Sequence, residues 1–196
     1  MIVIIRGQEL IMNKDDVIQH LQLQPHVEGG YFRRTYCSSN VGPVNGLDND
    51  AGTRPSSRAF MSSIYYLLTS DRSIGHLHCN QSDIVHYYHG AGEQGGGVLR
   101  YTLIWPDGRV EQALLGASLA EGHQWQLIVP GGVWKASELV SGEWGLISEA
   151  VCPGFDFADM TLASLHTLQI LLPTRWQDFR HLVQEHPLHE PSLRKS

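Results

Sequence analysis

The sequence predicts an all-β fold, an antiparallel sandwich or barrel with short helices near both ends. Short segments rich in β-branched and aromatic residues follow one another between residues 59 and 151. Turn residues separate them at intervals of about ten residues, which is typical of sandwiches and barrels. A hydrophobic content of 42% against 17% charged residues indicates a globular chain, and the length of 196 residues predicts one domain over residues 1–196.

The N-terminal segment predicts a strand followed by a helix. The opening MIVII is too short for a signal peptide and indicates a first strand. Asn13 is suited to cap a helix, and Asp15 and Asp16 place negative charge in its first turn. Apolar residues then recur on one face, so we expect a short amphipathic helix over residues 14–21.

A long loop and a series of strands follow. Residues 40–57, NVGPVNGLDNDAGTRPSS, are dense in turn-forming residues and predict a lid or an excursion. Residues 91–97, AGEQGGG, predict a flexible turn, and PDGR at 106–109 predicts the turn of a β-hairpin. The predicted strands are AFMSSIYYLLT, HLHC, DIVHYYH, VLRYTLIW, RVEQALL, QWQLIVP, VWKASE and GLISEAV.

Residues 161–196 form a C-terminal extension in which we expect a helix near 175–185. Thr174 and Gln177 match the capping-box pattern at its start. An apolar face on this helix predicts packing against the barrel or against a partner subunit. The residues of that face are Trp176, Phe179, Leu182 and Val183.

Composition excludes several classes of partner. The chain has 20 acidic and 14 basic residues, a formal charge of −6 and no basic run, so we do not expect it to bind nucleic acid. No apolar segment is long enough to cross a bilayer, so no membrane partner is expected. The three cysteines, Cys37, Cys79 and Cys152, have no paired spacing and predict free thiols in a reducing cytoplasm.

The segment HLHCNQSDIVHYYHG, residues 76–90, holds four histidines and one aspartate. Residues two apart on a strand share a face, so we expect His76 and His78 to project together. A second strand starting at Asp83 would bring its carboxylate beside the two rings. Two histidines and one carboxylate can bind divalent iron, manganese, nickel or zinc and leave positions open for a substrate.

These residues resemble a known family. His76, His78, Asp83 and Gly90 resemble the first motif of the cupin superfamily, and the Val-Pro-Gly-Gly turn at 129–132 resembles the second. Five segments in order are similar to the cupin-5 group, a domain of unknown function, over residues about 14 to 160: PHVEGGYFRRTY, SSIYYLL, DIVHYYHG, VPGGVWKA and VCPGFDF.

The resemblance implies a fold, an oligomeric state and a ligand cavity. The implied fold is a double-stranded β-helix, the RmlC-like jelly roll, whose interior holds a ligand. It also implies a homodimer or a higher homo-oligomer. The sequence departs from metal-binding cupins at Trp134 and Lys135, where a further histidine is usual. A tryptophan cannot replace it, because the indole nitrogen is only a donor.

Three interpretations of His76, His78 and Asp83 therefore stay open: a catalytic metal site, a metal-free polar pocket, and strand histidines with a structural role. His86 matches the family pattern, whereas His89 falls on the opposite face and is expected outside.

Glu28, before Gly29 and Gly30, is a second candidate, either as a ligand-binding or orienting carboxylate or as a surface acid at a turn.

The remaining candidates are residues that could line such a pocket. Arg33 could pair with an anionic group of a ligand or form an exposed ion pair. Aromatic side chains that point inward would give apolar walls with hydroxyl handles, although aromatic residues in strands are commonly core. The predicted ligand-binding residues are Glu28, Arg33, Tyr66, His86, Tyr101 and Trp134.

The first functional hypothesis is a pocket for a small polar metabolite such as a sugar or sugar nucleotide, serving either binding or epimerase-type or isomerase-type chemistry. His76 or His78 would be the base, Asp83 its orienting partner, and Tyr88 or Tyr101 the acid. The alternative is a metal-dependent isomerase or oxygenase that uses His76, His78 and Asp83 as ligands. A purely structural assembly without a cavity is the third.

Overall fold

The computed structural model describes residues 12–43, 57–90 and 96–184. The predicted all-β fold is confirmed: strands dominate, and the helices are short and lie near the ends of the described chain. The predicted first strand MIVII, most of the predicted 40–57 loop and most of the AGEQGGG turn lie outside the described residues.

The helices and strands are α1 (Lys14–Leu21), β1 (Gln24–Pro25), β2 (Tyr31–Cys37), β3 (Val41–Pro43), β4 (Ser57–Ala59), β5 (Ser62–Thr69), β6 (Ile74–Asn80), β7 (Asp83–Tyr88), β8 (Val98–Ile104), β9 (Val110–Leu115), β10 (Gln126–Val129), β11 (Trp134–Ser141), β12 (Trp144–Cys152), β13 (Met160–Leu162), α2 (Leu165–Leu171) and α3 (Trp176–Phe179).

Two antiparallel sheets form the jelly roll. The six-stranded sheet has the order β1-β2-β5-β12-β7-β10, and the five-stranded sheet has the order β13-β6-β11-β8-β9. Strands β3 and β4 make a separate two-stranded sheet. Side chains from the two inner faces form the main apolar core, which includes Tyr66, Leu99, Leu103 and Ile147. The sheets do not close into a continuous barrel.

Helix α1 begins where the sequence predicts. The Asn13 side chain accepts hydrogen bonds from the backbone N–H groups of Asp15 and Asp16, and the Asp16 side chain accepts in return from the Asn13 N–H. Its buried face packs Val17 against Leu67 of the six-stranded sheet. The helix therefore covers part of the outer face of that sheet near the β1–β2 turn.

Strand β6 contains a bulge that changes which of its side chains point inward. Lys135 of β11 pairs with His78 and Ser137 pairs with Gly75, so His76 and Leu77 together lie opposite one residue of β11. Such a bulge interrupts the alternation of a strand. The expectation that His76 and His78 share a face is therefore wrong, since only His78 points into the space between the sheets.

The C-terminal segment covers the outer face of the five-stranded sheet. Leu168 of α2, Phe179 of α3 and Leu182 pack on Leu77 and Ile104, as the predicted apolar face requires. The predicted cap is wrong: the residue before α3 is Arg175, without a side-chain capping bond. Helix α3 is also shorter than predicted and passes into a 3-10 turn, Arg180–Leu182. Within the described chain, no helix is long and apolar enough to cross a membrane.

Candidate functional site

A cavity of about 260 Å³ opens between the two sheets. One wall is polar, with buried histidine, carboxyl and lysine side chains, and the other is apolar and largely aromatic. The lining residues are Gln24, His26, Glu28, Phe32, Arg34, Ile64, His78, Asn80, Ile84, Lys135, Glu149, Val151, Phe155 and Phe157.

The β1–β2 turn places Glu28 in this cavity. Gly29 and Gly30 have φ angles of 102° and 64°, a region that favours glycine. A Cβ atom on Gly29 would lie 2.1 Å from the carbonyl oxygen of Ile74, so only glycine lets the turn approach β6 so closely. The Tyr66 hydroxyl donates to the Gly29 carbonyl at 3.0 Å and helps to fix the turn. The predicted bend at Gly29 and Gly30 is confirmed.

Glu28 lies between two histidines. Its Oε2 atom is 3.3 Å from Nε2 of His78 and 3.5 Å from Nδ1 of His26. All three side chains are buried. The His26 ring packs edge-on against Phe32, with 4.3 Å between centroids. Its Nδ1 atom accepts from the backbone N–H of Glu28 at 3.3 Å, which leaves Nε2 as the protonated nitrogen of the neutral ring.

The tautomer of His78 follows from its backbone contact. Its Nδ1 atom lies 2.7 Å from the carbonyl oxygen of His76, which can only accept, so Nδ1 carries the proton. The Nε2 atom of the neutral ring then carries a lone pair beside the Glu28 carboxyl group. This Nε2 atom is buried and, within the described part of the chain, makes no well-aligned hydrogen bond, although Glu28 is in contact with it.

Burial sets the charge state of these groups. It lowers the pKa of His78 well below 6.5, with the positive charge of Lys135 acting in the same direction. It lowers the pKa of His26 to about 4 and raises the pKa of Glu28 from 4.5 to about 7. Near neutral pH both rings are therefore neutral, and Glu28 is poised between its acid and its carboxylate.

A second carboxyl–histidine pair faces the first from the six-stranded sheet. Oε1 of Glu149 on β12 lies 3.5 Å from Nε2 of His86 on β7. His86 is fully buried and packs edge-on against Tyr101 at 4.9 Å between centroids. Burial raises the pKa of Glu149 and lowers the pKa of His86 well below its usual value. Of this pair, Glu149 reaches the cavity.

Lys135 is the buried cation of the site. It is 3% exposed, points inward from β11 in register with His78, and lines the cavity. A small space of about 10 Å³ behind the cavity, enough for about one water molecule, is lined by Lys135, Glu28, Glu149 and Tyr66 among others. Among the described residues, no carboxylate oxygen lies within 4.0 Å of the Lys135 ammonium group.

Three of the four residues predicted to be catalytic lie outside the cavity. His76 is half-buried on the outer side, where Nδ1 donates to the Leu182 carbonyl at 3.3 Å. Asp83 is exposed, and its carboxylate accepts from the Gly131 N–H at 2.8 Å, so it holds the Pro-Gly turn. The Tyr88 hydroxyl donates to the Gly97 carbonyl at 3.2 Å. Only His78 reaches the cavity.

The predicted ligand-binding residues divide into two groups. Glu28 lines the cavity, and Tyr66 and Tyr101 line the small space behind it. His86 lies one layer deeper, behind Glu149. Arg33 and Trp134 lie elsewhere: neither lines the cavity, and Trp134 packs on the outer face with the C-terminal helices.

The predicted metal set does not form, because the β6 bulge turns His76 outward and Asp83 faces solvent. Within residues 12–43, 57–90 and 96–184, no group of three or more His, Cys, Asp or Glu side chains is arranged to hold a metal ion. The described side chains therefore do not fit the two-histidine, one-carboxylate site that the sequence suggested.

The sequence analysis missed most of the cavity lining, including the ionisable side chains of His26, Lys135 and Glu149. Glu149 alternates with Ile147 and Val151, both of which are buried, so its inward direction was a readable signal. Lys135 alternates in the same way with the buried Val133 and Ser137, which places Trp134 on the opposite face. His26 precedes the glycine turn and has no comparable periodic signal.

Comparison with known proteins agrees with this fold. The Cupin_5 family, described as Cupin superfamily (DUF985), matches residues 15–163. The uncharacterized protein YML079W of Saccharomyces cerevisiae is 41% identical over 153 residues, which are 74% of this chain and 72% of the yeast protein.

Two solved structures resemble the chain throughout. A hypothetical protein from Leishmania major superposes with a TM-score of 0.76 at 26% identity, covering 89% of this chain and 100% of that one. Protein SO0799 from Shewanella oneidensis superposes with a TM-score of 0.74 at 31% identity, covering 89% and 99%. The chain belongs to the Cupin_5 (DUF985) family of the cupin superfamily.

Proposed function

We propose that the cavity binds a small polar carbonyl metabolite and that Glu28 and His78 move a proton next to its carbonyl group, as an epimerase or isomerase does. The observation that supports this is the 3.3 Å contact between Oε2 of Glu28 and Nε2 of His78, inside a buried site. A carboxyl group with a pKa of about 7 can act as base and then as acid near neutral pH.

The two side chains have different roles in this proposal. The Glu28 carboxylate takes the proton from the carbon beside the carbonyl, and returns it to the neighbouring carbon or to the opposite face. The neutral His78 accepts a proton from a substrate hydroxyl at Nε2 and delivers it to the former carbonyl oxygen. Nε2 is the atom that does this, because the Nδ1–H of the ring is committed to the His76 carbonyl. The backbone contact thus positions the ring and selects its tautomer.

The cavity limits the size of the ligand. Its 260 Å³ lies just below the ~300–1,000 Å³ typical of pockets for drug-sized ligands. A monosaccharide-sized molecule suits this space, with its hydroxyl groups toward the histidines and its apolar face toward Phe32 and Ile64. A sugar nucleotide would fit only with its nucleotide part at the mouth, near the exposed Arg34.

We also propose a cytoplasmic homodimer or higher homo-oligomer. The three cysteines are free thiols, which suits a reducing compartment. Strand β10 is the edge of its sheet and exposes Ile128, and Trp125, which comes just before the strand, is exposed as well. These exposed apolar side chains support contact with another subunit. Light scattering of the purified chain tests this, and a monomeric mass at micromolar concentration would contradict it.

Proton exchange in D₂O tests the proposed chemistry. Protein purified without a histidine tag is incubated with small aldoses, ketoses and hydroxy ketones, and loss of the proton signal next to the carbonyl is followed by NMR. Glu28→Gln should slow the exchange by about 10²–10⁴-fold, the usual contribution of a positioned acid–base group. Glu121→Gln, which changes an exposed glutamate, should leave it unchanged.

Two outcomes would contradict the proposal. One is exchange that proceeds equally in wild type and Glu28→Gln, or in neither with any compound. The other is exchange that requires a stoichiometric bound metal and is lost on chelation, which would favour the metal-dependent alternative. Metal analysis of the same preparation separates these results.

A further inference from the structure

We propose that Lys135 binds the carboxylate of a small hydroxy acid or oxo acid, so that the cavity selects an anionic ligand. The proposal rests on the cavity function proposed above and names its substrate class. Three observations carry it: the burial of Lys135, the lack of a carboxylate partner for it among the described residues, and an amide oxygen on the neighbouring strand that has no hydrogen-bond partner in the same part of the chain.

Lys135 occupies a position that a binding cation requires. It projects from β11 between the two sheets, is 3% exposed and contributes to the lining of the cavity. A lysine with so little exposure is rare unless it is paired. Its neighbours in register, His78 on β6 and Leu103 on β8, supply no negative charge.

The carboxyl groups of the site contact histidines rather than Lys135. Glu28 contacts His78 and His26, and Glu149 contacts His86. No carboxylate oxygen of a described residue lies within 4.0 Å of the ammonium group. Burial favours the neutral form of both carboxyl groups by raising the pKa of Glu28 and of Glu149. A ligand carboxylate would therefore give Lys135 a counter-ion within 4.0 Å, which the described residues do not supply.

Asn80 supplies the second recognition group. It is 7% exposed, lies two residues after His78 on β6 and lines the same cavity. Its side-chain oxygen is buried without a hydrogen-bond partner among the described residues. A ligand hydroxyl can donate to an amide oxygen or accept from an amide nitrogen, so it satisfies Asn80 in either orientation of the amide. An anionic group together with a hydroxyl or its oxo equivalent describes a hydroxy acid or oxo acid.

The cavity suits a carboxylate better than a phosphate. Arg34, the arginine that lines it, is exposed at the mouth, and Lys135 is the one buried cation among the described lining residues. Phosphate sites usually add several donors, such as arginine side chains or backbone N–H groups at a helix N-terminus. The opposite wall is apolar, which suits the carbon skeleton of a compact organic acid.

Binding measurements with matched ligands test the proposal on the wild-type protein. Glycolate, L-lactate and L-malate are compared by calorimetry and thermal shift with the corresponding neutral amides, and with inorganic phosphate. At least one acid should raise the melting temperature and bind at least tenfold more tightly than its amide. Equal binding of acid and amide, or binding of phosphate alone, would overturn the proposal.

Variants locate the binding group. Lys135→Met, and Lys135→Gln as a second neutral variant, should weaken acid binding at least tenfold. Lys14→Met, which removes the half-buried partner of the exposed Asp71 at a position outside the cavity, should leave it unchanged. Full affinity in a folded Lys135 variant would overturn the proposal. Because binding is read without turnover, failed proton exchange with retained acid binding would count against the Glu28 chemistry and not against Lys135.

Discussion

The inner and outer faces of the β6–β11 pair come from the same two strands and carry opposite chemistry. The inner face presents His78 and Lys135. Among the described residues, Nε2 of His78 has no well-aligned hydrogen bond and Lys135 has no carboxylate within 4.0 Å. The outer face presents Leu77 and Ala136, sealed beneath Leu168 and the other apolar side chains of the C-terminal segment. The outer face therefore stabilises the sheet, while the inner face retains groups that burial disfavours.

This contrast separates residues that hold the fold from residues that give the cavity its chemistry. Buried polar groups without hydrogen-bond partners are rare in native proteins, and a functional role is one of the explanations for keeping them. Substitutions on the two faces should then change stability in different directions, which the following three experiments measure.

The largest effect is expected on the outer face. Leu77→Ala should lower the free energy of unfolding by about 2–5 kcal/mol, because it removes a fully buried side chain from a packed core. Urea denaturation measures the change. Leu119→Ala, at a position that is 56% exposed, is the matched control and should change stability by less than about 0.5 kcal/mol. A loss below about 1 kcal/mol for Leu77→Ala would show that the outer face does not stabilise the sheet.

Between pH 4 and pH 8, the difference in unfolding free energy between Glu28→Gln and wild type should change by about 3 kcal/mol. The pKa of Glu28 is raised by burial from 4.5 to about 7, so the native state holds a proton that the unfolded chain loses between these values. Wild-type stability therefore loses this contribution as the pH rises from about 4.5 through about 7, and the glutamine variant does not.

The buried histidines act in the opposite direction and are present in both proteins. Burial lowers the pKa of His26 to about 4, so its contribution to stability increases between pH 4 and pH 6.5. The difference between variant and wild type therefore isolates Glu28. Urea titrations from pH 4 to pH 8 should show the unfolding free energy of the variant rising relative to that of wild type. A difference that stays constant with pH would mean that Glu28 ionises with an ordinary pKa.

The smallest effect is expected for Lys135→Met, and it should have the opposite sign to that of Leu77→Ala. No described carboxylate lies within 4.0 Å of this buried ammonium group. Replacing it by an apolar side chain of similar length should therefore leave the unfolding free energy unchanged or raise it by about 1 kcal/mol. Thermal unfolding in ligand-free buffer measures this. A loss of more than about 2 kcal/mol would show that Lys135 stabilises the fold through the two carboxyl groups.

The sequence predicts the fold well because its signals are local and periodic. The helix over residues 14–21 follows from Asn13 and an apolar face, and the strands follow from alternation and turns. The family motifs supply the jelly-roll topology that alternation does not specify. The C-terminal helix was predicted too long because its second half tightens into a 3-10 turn where Leu182 packs against the sheet.

The sequence predicts the site only in part, and the reason is the direction of side chains. His76 was misplaced because a bulge depends on pairing with a distant strand, which the spacing of two histidines does not reveal. Asp83 was also misplaced, although the sequence contains a signal. Asp83 lies three residues before His86, and residues an odd number apart on a strand point to opposite faces, so the two side chains cannot both point inward. Glu28 and His78 meet through a glycine turn against β6, a contact between segments about 50 residues apart along the chain.

The most direct test of the Glu28–His78 site is the ¹⁵N chemical shifts of the His78 ring nitrogens, recorded from pH 5 to pH 8 on protein labelled at histidine. The structure predicts a neutral ring throughout this range, with the proton on Nδ1 and an unprotonated Nε2 whose shift moves as Glu28 titrates near pH 7. A His78 ring that titrates near pH 6.5, or that carries its proton on Nε2, would contradict the account.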